Sequence, residues 1–137
     1  MGAASILMYC STDPEISSII ADSPFDNLYE VCNHLALSYR LIPSALTNYM
    51  LKKVRFKICE LADFDIASVN PVDFAPMCTI PAIFIHAEDD ELINIKNMQA
   101  VFTAYGGENT KLKVAGGHNS SRPDWVLEYA CRHIASN

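Results

Sequence analysis

Two stretches carry the side chains that could do chemistry. The first, 81–93, reads PAIFIHAEDDELI, an apolar run that breaks into the four acids Glu88, Asp89, Asp90 and Glu91. The second is Gly116-Gly117-His118-Asn119, which follows a stretch of alternating apolar and charged residues. A carboxylate can hold an imidazole in one tautomer and stabilise its protonated form, and that imidazole can take a proton from a nucleophile. An acid at one strand end and a histidine at another therefore supply two members of a nucleophile-base-acid triad. Asp89, Asp90 and Glu91 are all eligible as the acid. In open α/β sheets such groups collect at the carboxyl ends of the strands.

The third member is missing. Ser5 lies in helix-like sequence without the tight strand-to-helix turn that would present its oxygen. Ser120 and Ser121 adjoin His118 in an extended loop, where neighbours point apart, and none of Cys10, Cys32, Cys59, Cys78 and Cys131 lies at such a turn. Asp22, at the end of an earlier strand, is a second place for an acid. His86 reads as a structural histidine at a strand end, and His34 and His133 fall within amphipathic helices as surface or core-edge residues. Asn119, Ser120 and Arg122 read as fixing the histidine loop. There is no Cys-x-x-Cys, no histidine at zinc spacing and no glycine-rich phosphate loop after any strand, so neither metal nor cofactor is expected. The missing phosphate loop also disfavours a flavodoxin-like or Rossmann-like binding domain.

The elements that must position these residues alternate. A helix over 2–11 is ended by Asp13-Pro14, a strand covers 16–21, and Asp22-Ser23-Pro24 turns the chain. Asp26 or Asn27 caps a helix with Leu28, Val31, Leu35 and Tyr39 on one face, which stops before Pro43. The next helix, 44–58, carries Lys52, Lys53, Arg55 and Lys57, which read as a solvated face rather than a rim for an anion. The segment 61–78 loses its period and reads as a long connection with one short helical turn. The organising strand then opens at Pro81, and 86–91 reads as the loop that leaves it. Asn94 caps a helix striped with Met98, Val101, Phe102 and Tyr105 and ended by Gly106-Gly107. An edge strand, 110–115, and a last helix begun by Pro123, with Trp125, Val126, Tyr129, Ala130 and Ile134 along one side, complete the chain. Strands alternating with helices imply a parallel α/β sheet.

Composition bounds the rest. A chain of 137 residues, half of them hydrophobic, suits one domain with a real core. A net charge of -6 argues against a general nucleic-acid role. Five widely spread cysteines read as reduced, mostly buried thiols of a cytoplasmic protein. No apolar run approaches the roughly 18 residues of a membrane span, and the start lacks a signal-peptide pattern.

Three motifs together carry a family resemblance. The segment His86-Ala87-Glu88-Asp89-Asp90-Glu91-Leu92-Ile93 resembles the H-G-x-x-D-x-x-V acid loop of the α/β-hydrolase superfamily, with Ala87 where glycine is usual. Gly117-His118-Asn119, with Arg122-Pro123 after it, resembles the histidine loop of that family. Met1-Gly2-Ala3-Ala4 resembles the second half of its G-x-S-x-G nucleophile elbow, cut just after the serine. The branch most resembled is that of serine aminopeptidases and acyl-hydrolases. The resemblance implies a partial α/β-hydrolase fold, the C-terminal part of a single domain over 1–137: three parallel strands with flanking helices and a helical cap insertion at about 27–60. It assigns Asp90 as catalytic acid and His118 as base, expects a serine immediately before Met1, and makes the Met1 nitrogen an oxyanion donor. The complete protein is then expected to cleave a small-molecule ester, thioester or peptide bond by acyl transfer. The chain as it stands is expected to be inactive, and to pair with a missing N-terminal half. The alternative is a non-catalytic fragment serving as an interaction or structural domain.

Overall fold

Three short runs pair side by side into one parallel sheet, and the loops that leave its second and third strands carry Asp90 and His118. In a computed structural model of the chain, residues 1–13, 15–38 and 43–137 are described. They form two units, Met1–Asp26 with Pro71–Asn137, and Asn27–Asn70.

In the first unit, β1 (Ile19–Asp22), β2 (Ala82–Ala87) and β3 (Asn109–Val114) lie in the order β1-β2-β3. All six residues of β2 are buried, as expected of a central strand with both faces covered. Alternation sends its side chains to two cores. Ala82 and Phe84 pack with Leu7 of α1 (Gly2–Cys10) and with Met98 and Val101 of α5 (Ile95–Ala104). Ile83, Ile85 and Ala87 pack with Val114 and with Val126 of α6 (Asp124–Ser136). Phe84 meets Phe102 and Tyr105 edge-to-face at centroid distances of 5.7 and 5.3 Å, the orientation that ring quadrupoles favour.

Several boundaries differ from the sequence reading. Strand β1 begins at Ile19 rather than at residue 16 because Ile19 pairs with Ala82, and Pro81 before it has no N–H to extend the ladder. Strand β2 continues through His86 and Ala87, read above as loop, because both remain in register with Lys113 and Val114 of β3. Helix α5 ends at Ala104, with its N-terminus capped by Asn94 Oδ1 accepting from Lys96 N at 3.0 Å. Gly106 and Gly107 do not end it through a left-handed turn, since neither has positive φ. They allow close approach instead: a Cβ on Gly106 would stand 2.3 Å from the Pro76 carbonyl oxygen, and one on Gly107 2.6 Å from that of Ile80. In α6 only Val126 and Ala130 are buried, while Trp125, Tyr129 and Ile134 face outward. The stretch read as one helical turn in a long connection holds a 3-10 turn at Ile66–Ser68, the short helix α4 (Pro71–Phe74) and a second 3-10 turn at Ala75–Met77. The cysteines are also less buried than expected. Cys10 and Cys78 are buried and face each other with 2.9 Å between sulfurs, but Cys59 and Cys131 are exposed. Burial, then the contact with Cys78, pushes the Cys10 thiol up to about 12.

The second unit contains α2 (Leu28–Ser38) and α3 (Ser44–Ala62). Asn27 Oδ1 accepts from Glu30 N at 2.9 Å, which resolves the choice between the two N-caps read from the sequence. The expected helical position Tyr39 lies outside the described residues, as does Pro14. Helix α3 extends four residues past 58, through good helix formers, and stops where Asp63 turns left-handed at φ 54°. The Arg55 guanidinium forks onto Asp65, and this contact, followed by the Ala67 N–H, holds the Asp65 carboxyl at about 2. No described helix is long and apolar enough to cross a membrane.

The crowding at Gly106 sets an expected outcome. Gly106→Ala forces a methyl group into the Pro76 carbonyl and should destabilise the protein by about 1–3 kcal/mol in urea denaturation.

Candidate active site

The site is built where β2 and β3 run out. Beyond Ala87 the ladder continues as single rungs, Glu88 N donating to Val114 O at 2.8 Å and Asp89 N to Gly116 O at 3.0 Å. This keeps the acid loop beside the histidine loop. Gly116 has φ +101°, and a Cβ there would meet Ser120 Cβ and Oγ at 2.9 Å, so both backbone and space require glycine. Gly117 N donates to Ser120 Oγ at 2.9 Å, which closes the turn that carries His118.

The structure brings His118 onto Asp90, with Nδ1 2.8 Å from Oδ2. Asp89 and Glu91, equally eligible by position, are exposed and have no side-chain hydrogen bond among the described residues. The Asp90 side chain is 1% exposed; the residual exposure of the residue belongs to its backbone. Its Oδ1 accepts from Leu92 N at 3.0 Å and Ile93 N at 2.8 Å, and its Oδ2 accepts from Ser23 Oγ at 2.9 Å as well as from the imidazole. Burial alone would push this carboxyl up. The Ile93 amide, His118 and Ser23 outweigh burial and hold it below the usual carboxylate range. Against an ionised Asp90, Nδ1 of His118 must be the donor, and in a neutral imidazole the lone pair is then on Nε2. The His118 side chain is 30% exposed, and among the described residues Nε2 has no hydrogen-bond partner.

Asp22, the alternative acid, does not meet His118. Its carboxylate takes a two-pronged contact from Arg122, Nε to Oδ2 at 2.7 Å and Nη2 to Oδ1 at 2.9 Å. The same guanidinium donates to the carbonyls of Gly117, Ser120 and His118 at 3.2, 3.1 and 3.3 Å. Arg122 thus fastens the histidine loop to the end of β1, and the Asp22 bond, against some cost of burial, holds its charge more firmly than usual. His86 is 1% exposed, and among the described residues its Nδ1 has no hydrogen-bond partner. Burial depresses its basicity, and the opposing pull of Asp90 only partly offsets this. Met1 stands before α1, 74% exposed, with its carbonyl accepting from Ala4 N and Ser5 N.

Ser23 is the site residue that sequence reasoning passed over as part of a turn. The signal was its place directly after Asp22, at the end of the strand neighbouring β2.

No protein-family model and no curated protein matches the chain. Solved structures do. An esterase from Pyrococcus furiosus, 18% identical with a TM-score of 0.64, is matched over 96% of this chain and 47% of that one. An acetyl xylan esterase from a Paenibacillus species, 11% identical with a TM-score of 0.68, is matched over 98% and 42%. A structure reported for the metagenome-derived lipolytic enzymes LipS and LipT, 15% identical with a TM-score of 0.67, is matched over 100% and 62%. The chain therefore spans less than half the length of the first two proteins and about three fifths of the third. Three parallel strands, flanking helices and a helical insertion between β1 and β2 make this a partial α/β-hydrolase fold.

The two shifted groups have separate consequences for stability. Both folded values are depressed, so each group's stabilisation is present above its unfolded value and lost as pH falls through the folded one. For His86 the decline begins below about 6.5, and for Asp90 below about 3.8. The urea midpoint should fall in two stages on acidification, with His86→Met flattening the first and Asp90→Asn reducing the second, a window that Asp65 shares.

Proposed function

We propose that His118 and Asp90 are the base and acid of a serine-hydrolase acyl transfer, and that the complete protein is an esterase. The observation that carries this reading is the 2.8 Å contact between His118 Nδ1 and a buried Asp90 oxygen, with Nε2 left unpartnered toward solvent among the described residues. In this mechanism Nε2 takes the proton of an attacking serine hydroxyl as its oxygen adds to the ester carbonyl. Asp90 stabilises the imidazolium that results, and the imidazolium then protonates the leaving alkoxide. Water enters by the reverse sequence and releases the acid.

The nucleophile is assigned to a serine preceding the Met1-Gly2-Ala3-Ala4 segment, with the following backbone N–H, that of Met1, as an oxyanion donor. Within the 137 residues no hydroxyl or thiol reaches Nε2 among the described residues, so the chain by itself is assigned no turnover. The unit Asn27–Asn70, inserted between β1 and β2, is assigned as the substrate-selecting cap. An ester is favoured over a peptide because the structural relatives are described as esterases and lipolytic enzymes. Cleavage of thioesters or peptides, a likeness to aminopeptidases, and residence in the cytoplasm belong to the same proposal without a structural observation of their own.

A second reading, a non-catalytic domain that joins a partner, draws on β1, which among the described residues pairs only with β2. The two readings separate in one assay. A polypeptide extended before Met1 by a strand ending in Gly-x-Ser should hydrolyse a simple aryl ester, and His118→Ala should lower kcat by about 10²–10⁴-fold. Turnover by the 137 residues alone that depends on His118 would contradict the assigned nucleophile. An extended, folded protein without turnover would favour the non-catalytic reading.

A further inference from the structure

We propose that Ser23 is a positioning residue of this site, whose hydroxyl holds the Asp90 carboxylate in the one orientation that serves His118. The role rests on the reading of His118 and Asp90 as base and acid, and it adds a residue that the sequence motifs do not single out.

An ionised carboxylate offers about four acceptor positions. At Asp90 they are met by four donors: Leu92 N and Ile93 N on Oδ1, and His118 Nδ1 and Ser23 Oγ on Oδ2. The two amides come from Asp90's own loop and fix one oxygen. The other oxygen is shared between the imidazole and the serine. Because the Asp90 side chain is 1% exposed, water has little access to substitute for the hydroxyl.

The backbone is arranged for this contact. Ser23 N donates to Ile85 O at 2.8 Å as the last rung between β1 and β2, and the residue then turns left-handed at φ 49°, a conformation that serine seldom adopts. The turn sends two adjacent side chains to two different loops. Asp22 goes to Arg122 of the histidine loop, and Ser23 to Asp90 of the acid loop. The Ser23 hydroxyl has one proton and two carboxylates in reach, Asp90 Oδ2 at 2.9 Å and Asp22 Oδ1 at 3.3 Å. Asp22 is already matched by the Arg122 fork, whereas Asp90 is buried and depends on short-range donors, so the proton goes to Asp90.

The hydroxyl also acts on the oxygen that faces His118. By donating to the oxygen that faces the imidazole, it draws negative charge from that oxygen and weakens its pull on the imidazolium. Other charged or titratable groups near the pair are Asp22 of β1, Arg122 of the histidine loop, His86 of β2 and the exposed Asp89 and Glu91 on either side of Asp90. Of these only Asp22, 3.3 Å from the hydroxyl and held by the Arg122 fork, has the hydroxyl as a neighbour.

The test is an NMR titration of the His118 ring in the 137-residue chain and in Ser23→Ala, Ser23→Gly and Asp90→Asn. Both serine variants should make the His118 imidazolium roughly threefold less acidic, the scale of one neutral hydrogen bond, so that the ring titrates at higher pH. Asp90→Asn should move it the other way. Ser23→Gly tolerates the left-handed backbone and keeps the measurement accessible if Ser23→Ala fails to fold. A purely structural serine would lower the unfolding temperature and leave the titration where it was, and that result in both variants overturns the role. A response to Asp90→Asn without any to Ser23 substitution overturns the serine's part alone. Indifference of His118 to Asp90→Asn removes the pair itself, and the serine's role with it.

Discussion

A carboxylate withdrawn from water must find its hydrogen bonds inside the protein, and Asp90 is the group on which this requirement falls hardest. Its side chain is almost fully buried, yet it stays ionised because donors converge on it from three directions: its own loop, the histidine loop and the end of β1. The donors from the histidine loop and from the end of β1 belong to segments whose course is constrained elsewhere, by the glycine at 116, by the Arg122 fork and by the last rung between β1 and β2. Loss of any one leaves a buried acceptor site unmatched. The charge on Asp90 thus organises the upper end of the sheet as firmly as the apolar side chains organise its middle.

The parallel arrangement makes this convergence possible. Three strands that run the same way deliver three carboxyl ends to one edge, and the register aligns them: Asp22 opposite Ile85, and Ala87 opposite Val114. An antiparallel neighbour would have sent one of the loops to the opposite end. Burial of β2 on both faces adds rigidity below the site, since Phe84 and Ile85 are held in separate cores. His86 is the exception in that strand. It is a buried imidazole whose Nδ1 has no hydrogen-bond partner among the described residues, and the neutral form that burial favours is the one that limits the penalty.

The parts of this arrangement legible in the sequence were those with a local signature. An apolar run breaking into acids located the end of β2, and glycines around a histidine located the end of the third strand. The alternation of elements then implied that the two ends lie together. The distinction between Asp90 and its neighbours was not available from position alone; it came from motif resemblance, and in the fold it follows from which carboxylate the Leu92 and Ile93 amides enclose. Ser23 carried only its place after Asp22 at a strand end, because a serine before a proline reads as a turn and its contact is with a residue 67 positions away. Gly106 and Gly107 looked like a helix stop, but the reason for them is the backbone of 76–80 pressed against them. The outward face of α6 was misjudged for a related reason: an apolar stripe states what could be buried, and only the packing states what is.

The hydrogen bonds at the site span long stretches of chain: 28 residues between Asp90 and His118, 67 between Ser23 and Asp90, and 100 between Asp22 and Arg122. Closing loops of this length costs conformational entropy that only the assembled sheet repays, and contacts of this kind form late and slowly. Helices such as α3 and α6 can gain structure early from contacts near in sequence, whereas the Asp90 cluster has no partial form. It requires β1, β2 and β3 in register at once. Completion of the cluster is therefore a marker for native topology, and a chain can be rich in helix, collapsed and protected while the Asp90 carboxylate still lacks its distant donors.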